Sequence, residues 1–149
     1  MSFRIDVGPS QLALHQGHSA LVTDCDGQIR EPSAKGYYFR DTRLVSCWRI
    51  YADGEEWDYL NAAPVSHFAA RSYLINRTMR TANGVVPQRT IQLTISRWMD
   101  GGLHEDLVLE NFGARPARFF LEIEARCDFA DLAEARAGEF ARRGRIVSE

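Results

Sequence analysis

The sequence predicts an all-β protein: an antiparallel β-sandwich with at most one short C-terminal helix. Two observations predict it. Apolar residues recur at every second position along much of the chain, and strand side chains alternate between faces with that period. Turn-forming residues interrupt these runs at intervals of about 8–15 residues, as in a sandwich of short strands.

The elements follow in order. Ser19 to Thr23 reads as a strand, and Asp26-Gly27 as a tight turn into Gln28-Ile29. Leu44 to Tyr51 is β-branched and aromatic, and Asp53-Gly54 then signals a type I′ turn before Glu55 to Leu60. Residues 65 to 80 alternate weakly around Phe68, Tyr73, Ile75 and Met79, and Asn83-Gly84 with Pro87 marks a break. Ile91, Leu93 and Ile95 alternate with Gln92, Thr94 and Ser96. Asp100-Gly101-Gly102 links that run to Leu103, Glu105, Leu107 and Leu109, which makes a β-hairpin. After a turn at 111–116, Ala117, Phe119, Leu121, Ile123, Ala125 and Cys127 share one face. Phe120 interrupts the polar face, which is expected to be partly covered. The predicted core is Ile91, Leu93, Ile95, Leu107, Leu109, Phe119, Leu121 and Ile123. Helix propensity over 128–143 argues for a helix there.

Composition bounds the function. The chain's 149 residues suit a single domain spanning 1–149, 45% hydrophobic and 26% charged. A net charge of −2 gives no basic footprint for nucleic acid or an anionic membrane. No apolar run approaches the ~20 residues of a membrane span, and residues 1–6 lack the pattern of a signal peptide. Cys25, Cys47 and Cys127 are odd in number and form no C-x-x-C, so neither a disulfide framework nor a zinc ribbon is indicated. A reducing cytoplasm is the consistent compartment.

Three stretches carry a resemblance. They are Gly36-Tyr37-Tyr38-Phe39-Arg40-Asp41-Thr42-Arg43-Leu44-Val45-Ser46, then Leu103-His104-Glu105-Asp106-Leu107-Val108-Leu109-Glu110-Asn111-Phe112-Gly113, and Asp128-Phe129-Ala130-Asp131-Leu132-Ala133-Glu134-Ala135-Arg136. In order and spacing, from about residue 15 to 137, they resemble the N-terminal domain of glycogen debranching (amylo-α-1,6-glucosidase-like) enzymes. The third stretch has alanines where that family usually has bulkier residues. The resemblance implies a supersandwich-like β-sandwich preceding an (α/α) barrel that holds the two catalytic acids. The barrel is then the expected partner and an α-glucan the expected substrate class; the alternative is a stand-alone carbohydrate-binding module or a structural interaction domain. It also makes the third stretch a strand end and turn, against the helix that propensity favours. The sandwich is expected to continue past Arg145-Ile146-Val147-Ser148-Glu149, so the chain reads as truncated, and its open edges are expected to pair it into a homodimer.

The candidate site residues are Arg40, Asp41, Thr42 and Arg43, with Asp128, Asp131, Glu134 and Arg136. Glycoside hydrolysis needs two carboxyls at a set separation, and Asp128, Asp131 and Glu134 at spacings of three could supply them from one helical face. Alternatively they form a charge network with Arg126 and Arg136. Asp41 between Arg40 and Arg43 suggests a buried structural clamp, or a clamp that shapes one wall of a glucan cleft. No residue is assigned a catalytic role, and the chain alone is expected to be inactive. No cofactor is called for. Asp24-Cys25-Asp26-Gly27 imitates part of a calcium loop, but Val22 and Ser33 stand where acidic ligands are needed. His15 and His18 lack partners in a ligand pattern, and His67 and His104 read as surface or strand-face residues. Tyr37, Tyr38, Trp48, Trp57, Tyr59 and Trp98 could stack on glucose rings or pack in the core.

Overall fold

The structure, a computed structural model, describes residues 10–139. The first four strands, β1 (Gln11–Gln16), β2 (Ser19–Asp24), β3 (Gly36–Phe39) and β4 (Thr42–Val45), form an antiparallel sheet in chain order. Next come β5 (Cys47–Ala52), β6 (Glu55–Ser66) and β7 (Ala69–Asn76), then a small hairpin of β8 (Met79–Thr81) and β9 (Gly84–Val86). β10 (Ile91–Met99), β11 (Leu103–Asn111) and β12 (Leu121–Arg126) precede the helix α1 (Leu132–Ala137). The second sheet has six strands in the order β11-β10-β7-β6-β5-β12.

Local chemistry fixes the register. Asp53 and Gly54 both adopt positive φ, 49° and 76°, as a type I′ turn requires, and they bring Ala52 opposite Glu55. Gly101 takes φ 65° in the turn that sets Met99 against Leu103. The Asp26-Gly27 turn forms, with the Gly27 N–H donating to Asp24 O at 2.9 Å. The chain beyond it does not return along β2. Instead Ile29 makes a single bridge to Trp48 of β5.

The two larger apolar cores among the described residues follow from this. Leu14, Leu21 and Ile29 meet Ala70 and Met99 between the two sheets. Ile50, Trp57, Leu74, Ile91, Leu93 and Ile95 of the six-stranded sheet and its flanks pack with Met79 and Val86 of the small hairpin. Among the described residues Ser46 Oγ and Trp57 Nε1 are buried without a hydrogen-bond partner, whereas the buried Asn76 side chain is fully engaged. Asn76 Oδ1 accepts from Thr90 N and Ile91 N, and its amide donates to the carbonyls of Arg77 and Pro87. That one side chain anchors the entry to β10.

The core expectation holds for β10 and fails at the sheet margins. Ile91, Leu93 and Ile95 are buried, but Leu107, Phe119 and Leu121 are only half-buried, and Leu109 and Ile123 are exposed. The reason is topological: β11 and β12 are the two outer strands of their sheet, each with one neighbour among the described residues. The polar face around Phe120, expected to be partly covered, is largely exposed, and Phe120 itself is 75% exposed. Residues 117–120 do not continue β12.

The helix expectation is met in its middle. α1 covers only 132–137, capped by Asp131, whose side chain accepts from Glu134 N, and closed by Gly138 at φ 70°. The motif's first residues, 128–130, are non-helical, as the resemblance implied. The remainder of the predicted helix, 140–143, and the stretch 145–149, past which the sandwich is expected to continue, lie outside the described residues. Among the described residues no helix is long and apolar enough to cross a membrane.

Candidate functional site

Arg43 sits in β4 on the face turned away from solvent, 2% exposed, a position where an isolated cation would be costly. All three of its guanidinium nitrogens donate hydrogen bonds. Nε donates to Asp128 Oδ1 at 3.0 Å and Nη2 to Asp128 Oδ2, while Nη1 donates to the carbonyls of Ser33 (2.6 Å) and Lys35 (3.1 Å). A two-pronged arginine–carboxylate pair fixes orientation as well as charge. Here it joins positions 85 residues apart, and so ties the first recognised stretch to the third.

The backbone reinforces the joint. Arg43 N donates to Ala130 O at 2.8 Å, and Thr42 bridges Asp131. Tyr38, Ala130 and Ala135 pack together beneath, which explains why small alanines suit the third stretch. Gly36 is required: a Cβ there would lie 2.4 Å from Val45 O and 2.7 Å from Arg43 Cδ, at φ 154°. Burial alone would raise the Asp128 carboxyl. The hydrogen bonds and charge of Arg43, with the Ala130 N–H, outweigh it and hold Asp128 below the usual carboxylate range. Burial raises the Tyr38 phenol, whose hydroxyl donates to Ala34 O at 2.7 Å.

Around this buried joint the surface is unusual. Arg40 (φ 55°) and Phe129 (φ 53°) both hold left-handed backbone conformations although neither is glycine. For a bulky residue that is a true outlier, costing on the order of 1–3 kcal/mol where surrounding structure enforces it. Phe39, Phe129 and Leu132 are exposed at 45%, 52% and 37%. The Arg40 guanidinium lies 5.6 Å from the Phe39 ring centre.

The structure thus rearranges the expected site. Asp41 is exposed in the turn between β3 and β4 and is not the buried centre of an arginine clamp. The clamp exists, but Arg43 is its buried member and Asp128 the acid. Asp128, Asp131 and Glu134 do not share a helical face. Asp128 precedes the helix, while Asp131 and Glu134 are consumed in a reciprocal cap. Arg126 pairs with Glu31 and Glu124 rather than with these acids. Arg136 occupies the last turn of α1, where a cation complements the helix dipole.

The second recognised stretch is structural as well. Glu105 takes a buried ion pair with Arg97 directly opposite it and accepts from Trp48 Nε1 at 3.2 Å. Arg97 Nη1 also donates to Gly27 O, which pins the 24–27 turn onto the sheet. Asn111 Oδ1 accepts from Gly113 N at 2.8 Å and its amide donates to Arg115 O, closing the turn after β11. Residue-by-residue reading missed the Arg97–Glu105 pair. Its signal was an arginine in phase with Ile91, Leu93, Ile95 and Met99 on an apolar face.

The Asp24–Asp26 segment holds cations of its own chain. Arg30 pairs with both carboxylates and Lys35 with Asp24. Among the described residues no group of three or more His, Cys, Asp or Glu side chains is placed to hold a metal. His15 meets His67 in a tilted ring contact on the surface, and His104 stacks on Trp98. The six aromatic candidates do not form one stacking face. Tyr38 and Trp57 are buried, while Tyr59 is exposed.

Two antiparallel sheets, welded at one corner by a buried arginine–aspartate pair, define an all-β sandwich module. The chain belongs to the family described as the N-terminal domain of (some) glycogen debranching enzymes, whose model matches residues 14–149. A comparison with curated proteins finds no match.

Proposed function

We propose that this chain is a single, non-catalytic accessory domain that supports the (α/α) barrel of an α-glucan debranching glycosidase in the cytoplasm. Family membership supplies the enzyme class. The observation that carries the rest is the corner built by Arg43 and Asp128. Strained backbone at Arg40 and Phe129 surrounds a joint whose charges are already satisfied, with Phe39, Phe129 and Leu132 left facing solvent. Backbone strain that the surrounding fold maintains is characteristic of functional surfaces, and exposed aromatics beside an arginine are the residue types that anchor protein interfaces. The corner is therefore read as the barrel-docking surface, with Arg40, Asp41, Thr42 and Arg136 at or near its rim. Three free cysteines suit the reducing compartment.

The test is sedimentation of this chain mixed with a separately produced catalytic region of the parent enzyme. One co-sedimenting species is expected, and it should be lost in an Arg40→Glu, Phe129→Gly double variant whose melting is not lowered. Absence of association, or association indifferent to both substitutions, would refute the docking role.

A further inference from the structure

A cleft of about 270 Å³ lies away from the Arg43–Asp128 corner, between the β5–β6 turn, the tip of the β8–β9 hairpin and residues 118–120. Asp53, Thr81, Asn83, Arg118 and Phe120 line it. Its walls are held by the fold. Asp53 N donates to Phe120 O at 2.9 Å and Phe120 N donates to Asp53 Oδ2 at 3.3 Å, which ties the turn to the 118–120 segment. Thr81 Oγ1 donates to Gly84 O and accepts from Asn83 N, which shapes the hairpin tip. Phe119 goes inward, edge-on to Trp57 with ring centres 6.4 Å apart, and leaves Phe120 outside.

The lining has a definite chemical character. Among the described residues the Asn83 amide and the Arg118 guanidinium make no hydrogen bond or ion pair, and Asp53 keeps Oδ1 open. One acid and one base leave the cleft near neutral, so it favours neither an anion nor a cation. Carboxylate, amide and guanidinium are planar, two-pronged groups suited to adjacent hydroxyls. The exposed Phe120 ring offers an apolar face for the C–H side of a ring that carries those hydroxyls. The volume lies just below the range of drug-sized ligand pockets, roughly 300–1,000 Å³, and suits one sugar ring.

We propose that this cleft is a saccharide subsite that holds one hexose unit of an α-glucan. The α-glucan identity rests on the proposed debranching role, whereas the saccharide chemistry rests on the cleft. The ring stacks on Phe120, Arg118 and Asn83 donate to its hydroxyls, and Asp53 Oδ1 accepts from one. The subsite lets the accessory domain hold a neighbouring glucan chain.

Affinity electrophoresis of the 149-residue chain in native gels containing glycogen tests this, with free maltotriose as competitor. Glycogen should retard the native chain and maltotriose should release it. Phe120→Ala and Asn83→Ala, both at exposed positions, should each raise the apparent Kd about tenfold while melting like the native chain. A native chain that glycogen does not retard would overturn the proposal, as would both variants migrating like the native chain. The Arg40→Glu, Phe129→Gly variant should be retarded normally, so a failure of this cleft and a failure of barrel docking are read separately.

Discussion

Replacing Asp128 by alanine is the most informative perturbation of the fold. Asp128 accepts from Nε and Nη2 of Arg43, whose side chain is 2% exposed, so water has little access to take its place. Nη1 keeps the Ser33 and Lys35 carbonyls, but two donor groups of a buried cation lose their acceptor. Removing one member of a buried pair costs about 3–5 kcal/mol. Asp128 itself is 24% exposed, so its removal admits some water and the lower figure, about 3 kcal/mol, applies. For a domain of this size that lowers Tm by roughly 6–12 °C. Asp128→Asn keeps one acceptor and should cost about 1–2 kcal/mol. The pH dependence has a definite sign. The folded carboxyl is held below its ordinary 3.8, so the pair stabilises fully above that value and is lost as pH falls through the folded pKa. The Tm difference between native and Asp128→Asn proteins should be constant from about pH 5 to 7 and shrink below about pH 4. Thermal melts followed by circular dichroism read both effects. An Asp128→Ala melt within a degree or two of native, or a difference that persists unchanged in acid, would refute the reasoning.

Other expectations contrast buried with exposed members of the same motifs. Asp41→Ala should change stability by no more than about 0.5 kcal/mol, measured by urea unfolding, because Asp41 is exposed. Leu93→Ala, fully buried in β10, should cost about 2–5 kcal/mol by the same assay. Leu121→Ala, half-buried on an outer strand, should fall below that range. Outer strands β11 and β12 also carry exposed Val108, Leu109 and Ile123, so light scattering on dilute chain should report a dimer. A monomer of 16.9 kDa would contradict edge or face pairing.

The β-hairpin of β10 and β11, the type I′ turn at Asp53-Gly54 and the buried face of β10 were legible because each follows from local periodicity or from residues that tolerate positive φ. Burial of Leu109 and Ile123 was misjudged because alternation identifies a face but not whether another layer covers it. That depends on strand order, which joins β12 to β5 across more than 65 residues. The Arg40–Arg43 motif stood out in the sequence, but its geometry was not legible there. Adjacent Arg40, Asp41 and Arg43 looked like a self-contained clamp, whereas β-strand alternation turns Arg43 inward to an acid from a distant segment. Nothing local to Asp53 or Arg118 marks the cleft they share, since a two-residue turn and an irregular segment meet there only in three dimensions.

Glucose release from limit dextrin tests the accessory role most directly, with this chain, the parent catalytic region, and the two combined. The chain alone should release none. Adding it to the catalytic region should raise the rate, and the Arg40→Glu, Phe129→Gly variant should not. Glucose released by the chain alone, and lost on Asp131→Asn or Glu134→Gln, would contradict a non-catalytic domain.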